Sequence, residues 1–187
     1  TEEHIRKALK TAFFPGRFEV VRCHPEFISG SPARRQVSLR LNEMLKQVQH
    51  DKGATLVLDG AHNPTKMRAF LSSLKKLYPT NPKVFVIGFK NDKDIKSMLR
   101  QILKVADILI VTEFKAKTDM SNNASAEALN IKHQTSNIKY DKKTQILIEG
   151  DSAKALEKAF ELAETEKDSI IVVTGSLYLV GEVRNML

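Results

Sequence analysis

Thr55-Leu56-Val57-Leu58-Asp59-Gly60-Ala61-His62-Asn63-Pro64 reads as a buried strand that turns directly into a helix. Thr55 to Leu58 is apolar and β-branched, and Asp59-Gly60 breaks it. Asn63 suits an N-cap, and Pro64 suits the first helical position, where no amide hydrogen is needed. Thr65 to Leu77 then carries Met67, Phe70, Leu71, Leu74 and Leu77 at helical spacing, the stripe a helix buries against a sheet. The helix start offers free N–H groups and a positive dipole end, which favour an anion. Asp59 and His62 would both point into that space. Local chemistry leaves two readings open: a ligand site, or a capped turn whose Asp and His satisfy backbone groups.

The same alternation extends in both directions. Upstream, Thr1 to Ala12 has helical spacing, Pro15-Gly16 ends it, and Arg17 to Val21 reads as a short strand. Downstream come a strand Val84 to Gly88, a helix from Asp94 with Ile95, Met98, Leu99, Ile102 and Leu103, and a strand Ile108 to Thr112. A polar loop, a short helix near Ser125 to Leu129, a strand Gln145 to Glu149 and a helix Ser152 to Ala163 follow. Ile170 to Thr174 is the last clear strand, before Gly175-Ser176. Strand–helix alternation predicts an α/β fold with a mostly parallel sheet and helices on both faces. Ligands of such sheets gather at the carboxyl ends of the strands. Asp59-Gly60, Gly88, Thr112 and Thr174-Gly175-Ser176 therefore mark the rim to search.

Composition narrows the class. The chain has 187 residues, 42% hydrophobic and 28% charged, the balance of a soluble globular domain. No apolar run is long enough to span a bilayer, and Thr1 to Lys10 lacks a signal-peptide core. The single cysteine, Cys23, excludes an internal disulfide and a cysteine knuckle, so a reducing, cytoplasmic setting is expected. The net charge of +8 is spread along the chain without an RNP-like motif or zinc finger. It suits anionic small molecules better than nucleic acid. His4, His24, His50 and His133 show no metal-ligand spacing and read as surface residues, so no metal ligands are assigned. The chain opens without methionine and inside a helical pattern, as a piece of a longer protein would.

Four motifs carry a resemblance. "LDGAHNP" at Leu58 to Pro64 resembles the C-terminal-domain signature of folylpolyglutamate and dihydrofolate synthases, relatives of the Mur ligases. Pro15-Gly16-Arg17-Phe18-Glu19 resembles that family's interdomain hinge, and Gly88 with Asp92-Lys93-Asp94 its "G…DKD" segment. Thr174-Gly175-Ser176-Leu177-Tyr178 with Gly181-Glu182-Val183-Arg184 resembles its C-terminal "GSLY…GEVR". The resemblance implies a Rossmann-like Mur-ligase C-terminal domain over residues 15–187, with 1–14 the tail of an N-terminal ATPase domain.

It also implies an ATP-dependent ligase that adds glutamate to dihydropteroate or folate through an acyl phosphate. Arg17 and Asp59 would contact ATP, His62 would lie near the phosphates or the incoming glutamate as the catalytic candidate, and Ser176 would face glutamate. Read from local chemistry, the alternative for Arg17 is a solvated hinge charge and for Ser176 a turn residue after a strand. Asp92 and Asp94 read as helix caps, with Lys93 in solvent.

Two departures bear on function. No GxxxxGK[ST] loop occurs anywhere in the sequence, so the triphosphate cradle and the Mg²⁺ ligands would belong to the N-terminal domain, in the same or a separate chain. Little activity is expected without it. The alternatives are a nucleotide- or partner-binding module, or the relic of a decayed ligase gene. Second, residues 22–53 separate two strands that should be nearly contiguous. This stretch resembles peptides encoded by palindromic repeats inserted in frame in some intracellular bacteria. It holds six Lys/Arg (Arg22, Arg34, Arg35, Arg40, Lys46, Lys52) against Glu26, Glu43 and Asp51, thus +3 of the +8. Lengthening a connection about sixfold costs on the order of 1.6 kcal/mol of closure entropy, which an ordinary domain tolerates.

Overall fold

The computed structural model describes residues 15–22, 55–90, 92–114, 144–165 and 168–187. The strands are β1 (Glu19–Arg22), β2 (Thr55–Asp59), β3 (Lys83–Ile87), β4 (Ile108–Val111), β5 (Gln145–Ile148) and β6 (Ile170–Thr174). The helices are α1 (Pro64–Leu77), α2 (Ile95–Ile102), α3 (Ser152–Glu164) and α4 (Leu177–Arg184). The strands form one sheet in the order β1-β2-β6-β3-β4-β5. Only the β1–β2 pairing among them is antiparallel; β2–β6, β6–β3, β3–β4 and β4–β5 are parallel.

Side-chain alternation along the strands sorts the helices onto two faces. Val57, Phe85, Ile87, Leu109, Val111 and Val172 pack against α1 and α2, where Met67, Phe70, Leu74, Met98 and Ile102 are buried. Leu56, Leu58, Val84, Val86, Ile110, Ile171 and Val173 pack against α3 and α4, through Leu156, Ala159, Phe160, Leu179 and Val183. Each fully buried side chain of this size is worth roughly 1.5–3 kcal/mol, so the two layers fix which way every strand faces. β2 and β3 are buried along almost their whole length, as strands covered on both sides must be.

The chain runs outward through β3, β4 and β5, then returns to insert β6 between β2 and β3. Right-handed crossovers put helices of the outward run on one face and those of the return on the other. The reversal leaves a crevice at the carboxyl ends of β2, β6 and β3, the position where ligands of such sheets bind.

Two readings need correction. The strand expected at Arg17 to Val21 begins only at Glu19, because Gly16 (φ 69°) and Phe18 (φ 46°) form a turn with positive φ instead. The helix α4 was not foreseen; Gly181 interrupts its apolar pattern, yet Ser176 caps it and Leu179, Val180 and Val183 are buried. The helices expected at Thr1 to Ala12 and near Ser125 to Leu129, and most of the stretch 22–53, lie outside the described residues. Among the described residues no helix is long and apolar enough to cross a membrane.

Candidate functional site

Asp59 ends β2, beside Thr174 of β6. Its carboxylate is buried, and each of its oxygens accepts from a backbone N–H. Oδ1 accepts from the Ala61 N–H at 2.8 Å and Oδ2 from the Phe18 N–H at 2.8 Å. Burial pushes its carboxyl up from the usual 3.8, while the two N–H groups, Arg17 and His62 pull the other way. The second of those bonds joins two distant turns. Gly60 N–H donates to the Gly16 carbonyl at 2.8 Å, and Gly16 N–H donates to Glu19 Oε2 at 2.8 Å. Glu19 is itself buried and pairs with Arg184 Nε at 2.9 Å. Arg17 thus sits between two residues whose N–H groups are held by carboxylates, with its own side chain exposed.

Asn63 accepts from the Lys66 N–H at 2.8 Å and caps α1, with Pro64 in the first turn as the sequence predicts. His62 Nδ1 lies 2.7 Å from the Gly60 carbonyl. A carbonyl only accepts, so Nδ1 carries a proton. Lys66 Nζ is 3.1 Å from Nε2 of the same ring.

His62 faces a cleft of about 230 Å³ lined with Lys90, Lys93, Ser176, Leu177 and Tyr178. Ser176 is buried, and its Oγ accepts from the Tyr178 N–H at 3.2 Å. Lys93 does not sit in open solvent: it lines the cleft and pairs with Asp92 at 2.6 Å, holding that carboxyl below its usual range. Asp94 caps α2 through Ser97 N–H, as expected. No carboxylate is among the described residues that line the cleft.

Of the four residues singled out by sequence, His62 and Ser176 share this cleft. Arg17 and Asp59 form a second group at the β1–β2 end of the same rim, one strand away through the Asp59–Thr174 pairing. Asp59 does not line the cleft that His62 faces. Sequence reasoning missed Lys66, in the first turn of α1 and within reach of His62, and Lys90, three residues beyond the end of β3.

A sequence profile of the family "Dihydrofolate synthetase, C-terminal domain" matches residues 40–186. The chain belongs to this family. Curated relatives include the dihydrofolate synthetase of Saccharomyces cerevisiae, 30% identical over 127 residues, which cover 68% of this chain and 29% of that protein. A probable bifunctional folylpolyglutamate synthase/dihydropteroate synthase of Haloferax volcanii is 28% identical over 182 residues, 97% of this chain and 17% of that protein. The crystal structure of folylpolyglutamate synthase from Thermotoga maritima matches all of the chain with a TM-score of 0.59 and 26% identity, over 34% of its own length. A Mycobacterium tuberculosis folylpolyglutamate synthase complexed with ADP and AMPPCP matches with a TM-score of 0.69, at 20% identity, over 100% of this chain and 35% of that one. The chain thus spans less than about a third of the curated relatives named here.

Within this dihydrofolate synthetase C-terminal domain, the motif residues acquire distinct physical tasks. Glu19 and Arg184, from the first and last motifs, pair with each other across 165 positions of sequence. Glu182 accepts from Ser152 Oγ at 3.1 Å and ties α4 to α3. Among the described residues there is no cluster of three or more His, Cys, Asp or Glu side chains fit to hold a metal ion.

Proposed function

We propose that this chain is the C-terminal domain of an ATP-dependent ligase that adds glutamate to dihydropteroate or a folate through an acyl phosphate. The observation that carries this reading is the cationic rim of a chain of this family: His62 and Ser176 share a carboxylate-free cleft, one strand from the Arg17–Asp59 turn.

In this reading Arg17 meets the nucleotide phosphates with an exposed guanidinium, the group best suited to a bidentate phosphate contact. Asp59 holds the turn that presents Arg17, and its remaining lone pairs accept from nucleotide donors. His62 Nε2, once Lys66 Nζ swings away from it, takes a proton from the amine of the incoming glutamate, since Nδ1 is committed to Gly60. Ser176 faces that substrate. The donor set fits anions. It does not fit Mg²⁺, whose oxygen ligands the described residues do not assemble, so no step here passes through the metal. A P-loop domain, in the same or another chain, supplies the triphosphate cradle in this proposal.

The β1–β2 pairing supports reading residues 22–53 as an insertion. It closes at Arg22 opposite Thr55, the far end of the ladder from Asp59.

The test is ADP release with dihydropteroate, glutamate and Mg-ATP, from this chain alone and after adding a family ATPase domain. Turnover only in the mixture is expected. Turnover from the chain alone removes the need for a second domain; silence in both favours a binding module or a relic.

A further inference from the structure

We propose that Arg184, acting through Glu19, is a positioning residue for Arg17, and that helix α4 is the bed on which the Arg17 turn is held. This rests on reading Arg17 as a nucleotide contact. Arg17 stands between Gly16 (φ 69°) and Phe18 (φ 46°), both in the left-handed region. Phe18 has a Cβ, for which that region is disfavoured, so such a turn persists only where its surroundings hold it. Whatever holds the turn also sets where the guanidinium is presented.

Helix α4 supplies much of that hold from one face. Leu177, Val180 and Arg184 follow one another at helical spacing and so lie on one side of it. A Cβ on Gly60 would lie 2.1 Å from Leu177 Cδ2, and one on Gly16 would lie 3.0 Å from Val180 Cγ1. Both glycines are thus pressed against α4. They are also tied to each other, Gly60 N–H donating to the Gly16 carbonyl at 2.8 Å. At the far end of the same face, Arg184 Nε donates to Glu19 Oε1 at 2.9 Å. Glu19 Oε2 accepts from the Gly16 N–H at 2.8 Å.

The Glu19 carboxylate therefore has a divided task. One oxygen fixes the turn, and the other is fixed by Arg184. Glu19 is 8% exposed, and a carboxylate so placed depends on its counter-charge. Without Arg184 it is drawn toward water, and the Gly16 N–H loses its acceptor. The other side of the turn keeps its own anchors: Phe18 N–H donates to Asp59, and the Phe18 ring packs 5.5 Å from that of Phe70. Losing Arg184 thus loosens one side of the Arg17 turn and leaves the rest of the fold in place.

The experiment is an NMR titration of the full chain with ATP, with amide hydrogen exchange at Gly16 and a thermal melt recorded for each variant. The variants are Arg17→Ala, Arg184→Met, Glu19→Gln and the double change Arg17→Ala/Arg184→Met. Arg184 is 47% exposed, so its replacement leaves the core intact. Arg17→Ala is expected to weaken ATP about tenfold, the loss of one charge-assisted contact. Arg184→Met should weaken ATP about three- to fivefold and speed exchange at the Gly16 N–H about tenfold, and Glu19→Gln should follow it. In the Arg17→Ala background, Arg184→Met should change ATP affinity no further, because a residue that acts through Arg17 has nothing left to position. A role in stability alone would lower the melt and leave ATP affinity where it was. A direct contact from Arg184 to ATP would weaken binding equally in both backgrounds. Either of those results, or unchanged Gly16 exchange, overturns the assignment while Arg17 stands. If Arg17→Ala binds ATP as the wild type does, or ATP shifts no signal at the turn, the nucleotide reading of Arg17 falls and takes this assignment with it.

Discussion

The two turns that flank the β2–β6 pair do the same job by different physics. Each leads from a parallel strand into a helix, and each has a polar N-cap, Asn63 in one and Ser176 in the other. The β2–α1 turn is fastened by polar groups: Asp59 takes two backbone N–H groups, and His62 ties back to Gly60. The β6–α4 turn is shaped by crowding. Gly175 has φ +102°, and a Cβ on it would meet the Gly88 carbonyl oxygen at 2.6 Å and the Phe89 ring at 2.8 Å. A polar turn can be cut one bond at a time. A crowded one yields only by moving backbone.

Substituting the two glycines should expose that contrast most strongly. Gly175→Ala combines a disfavoured φ with a backbone clash and is expected to cost about 3 kcal/mol or more, read as a fall in urea midpoint. At Gly60 an added Cβ would also overlap a neighbour, but that neighbour is the end of Leu177, 2.1 Å away and on a side chain 45% exposed. Leu177 can swing outward, so Gly60→Ala should cost only about 1 kcal/mol. Equal losses would mean that the two turns are equally rigid.

Asp59→Ala comes next. It strands the Phe18 and Ala61 N–H groups and should cost about 2 kcal/mol, somewhat offset by removing a buried charge. Asp59→Asn sharpens the point through pH. Burial raises the folded carboxyl above 3.8, so the native state holds its proton more tightly than the unfolded one. Its contribution to stability is therefore present below that value and is lost as pH rises through the folded pKa. Unfolding curves taken from about pH 3.8 upward should lose that part of the slope in the Asn variant. An unchanged slope would show that Asp59 does not titrate as its burial requires.

The caps give the smallest effects. Asn63→Ala and Ser176→Ala should each cost about 1 kcal/mol in thermal melts. Asn63 should cost the more, since its cap bond is 2.8 Å against 3.2 Å and it starts a 14-residue helix rather than one of 8. The reverse order would mean that Ser176 does more than cap.

The polar turn was legible in the sequence because its information is local. An apolar run, Asp-Gly, and Asn-Pro before a helical stripe name the strand, the turn and the cap without reference to anything else. The sheet was legible for the same reason, since β2, β3, β4 and β6 are continuous apolar runs. The crowded turn was not, because Gly175 is set by Gly88 and Phe89, which only the fold brings near. Helix α4 was hidden by Gly181 and by apolar residues too dense to show a stripe. The Asp59–Phe18 bond spans 41 positions and the Glu19–Arg184 pair 165, separations at which no spacing rule operates.

The antiparallel start of the sheet has a consequence for how such a gene can change. A strand running against its neighbour hands the chain back at the opposite edge from the rim. Codons added between Arg22 and Thr55 therefore enter the protein four residue pairs from the Asp59 end, on the order of 13 Å at ordinary strand rise. Codons added after Asp59, Ile87 or Thr174 would enter at the rim itself. The joint between the first two strands is thus a place where the chain can lengthen while the rim at the carboxyl ends of β2, β6 and β3 keeps its spacing.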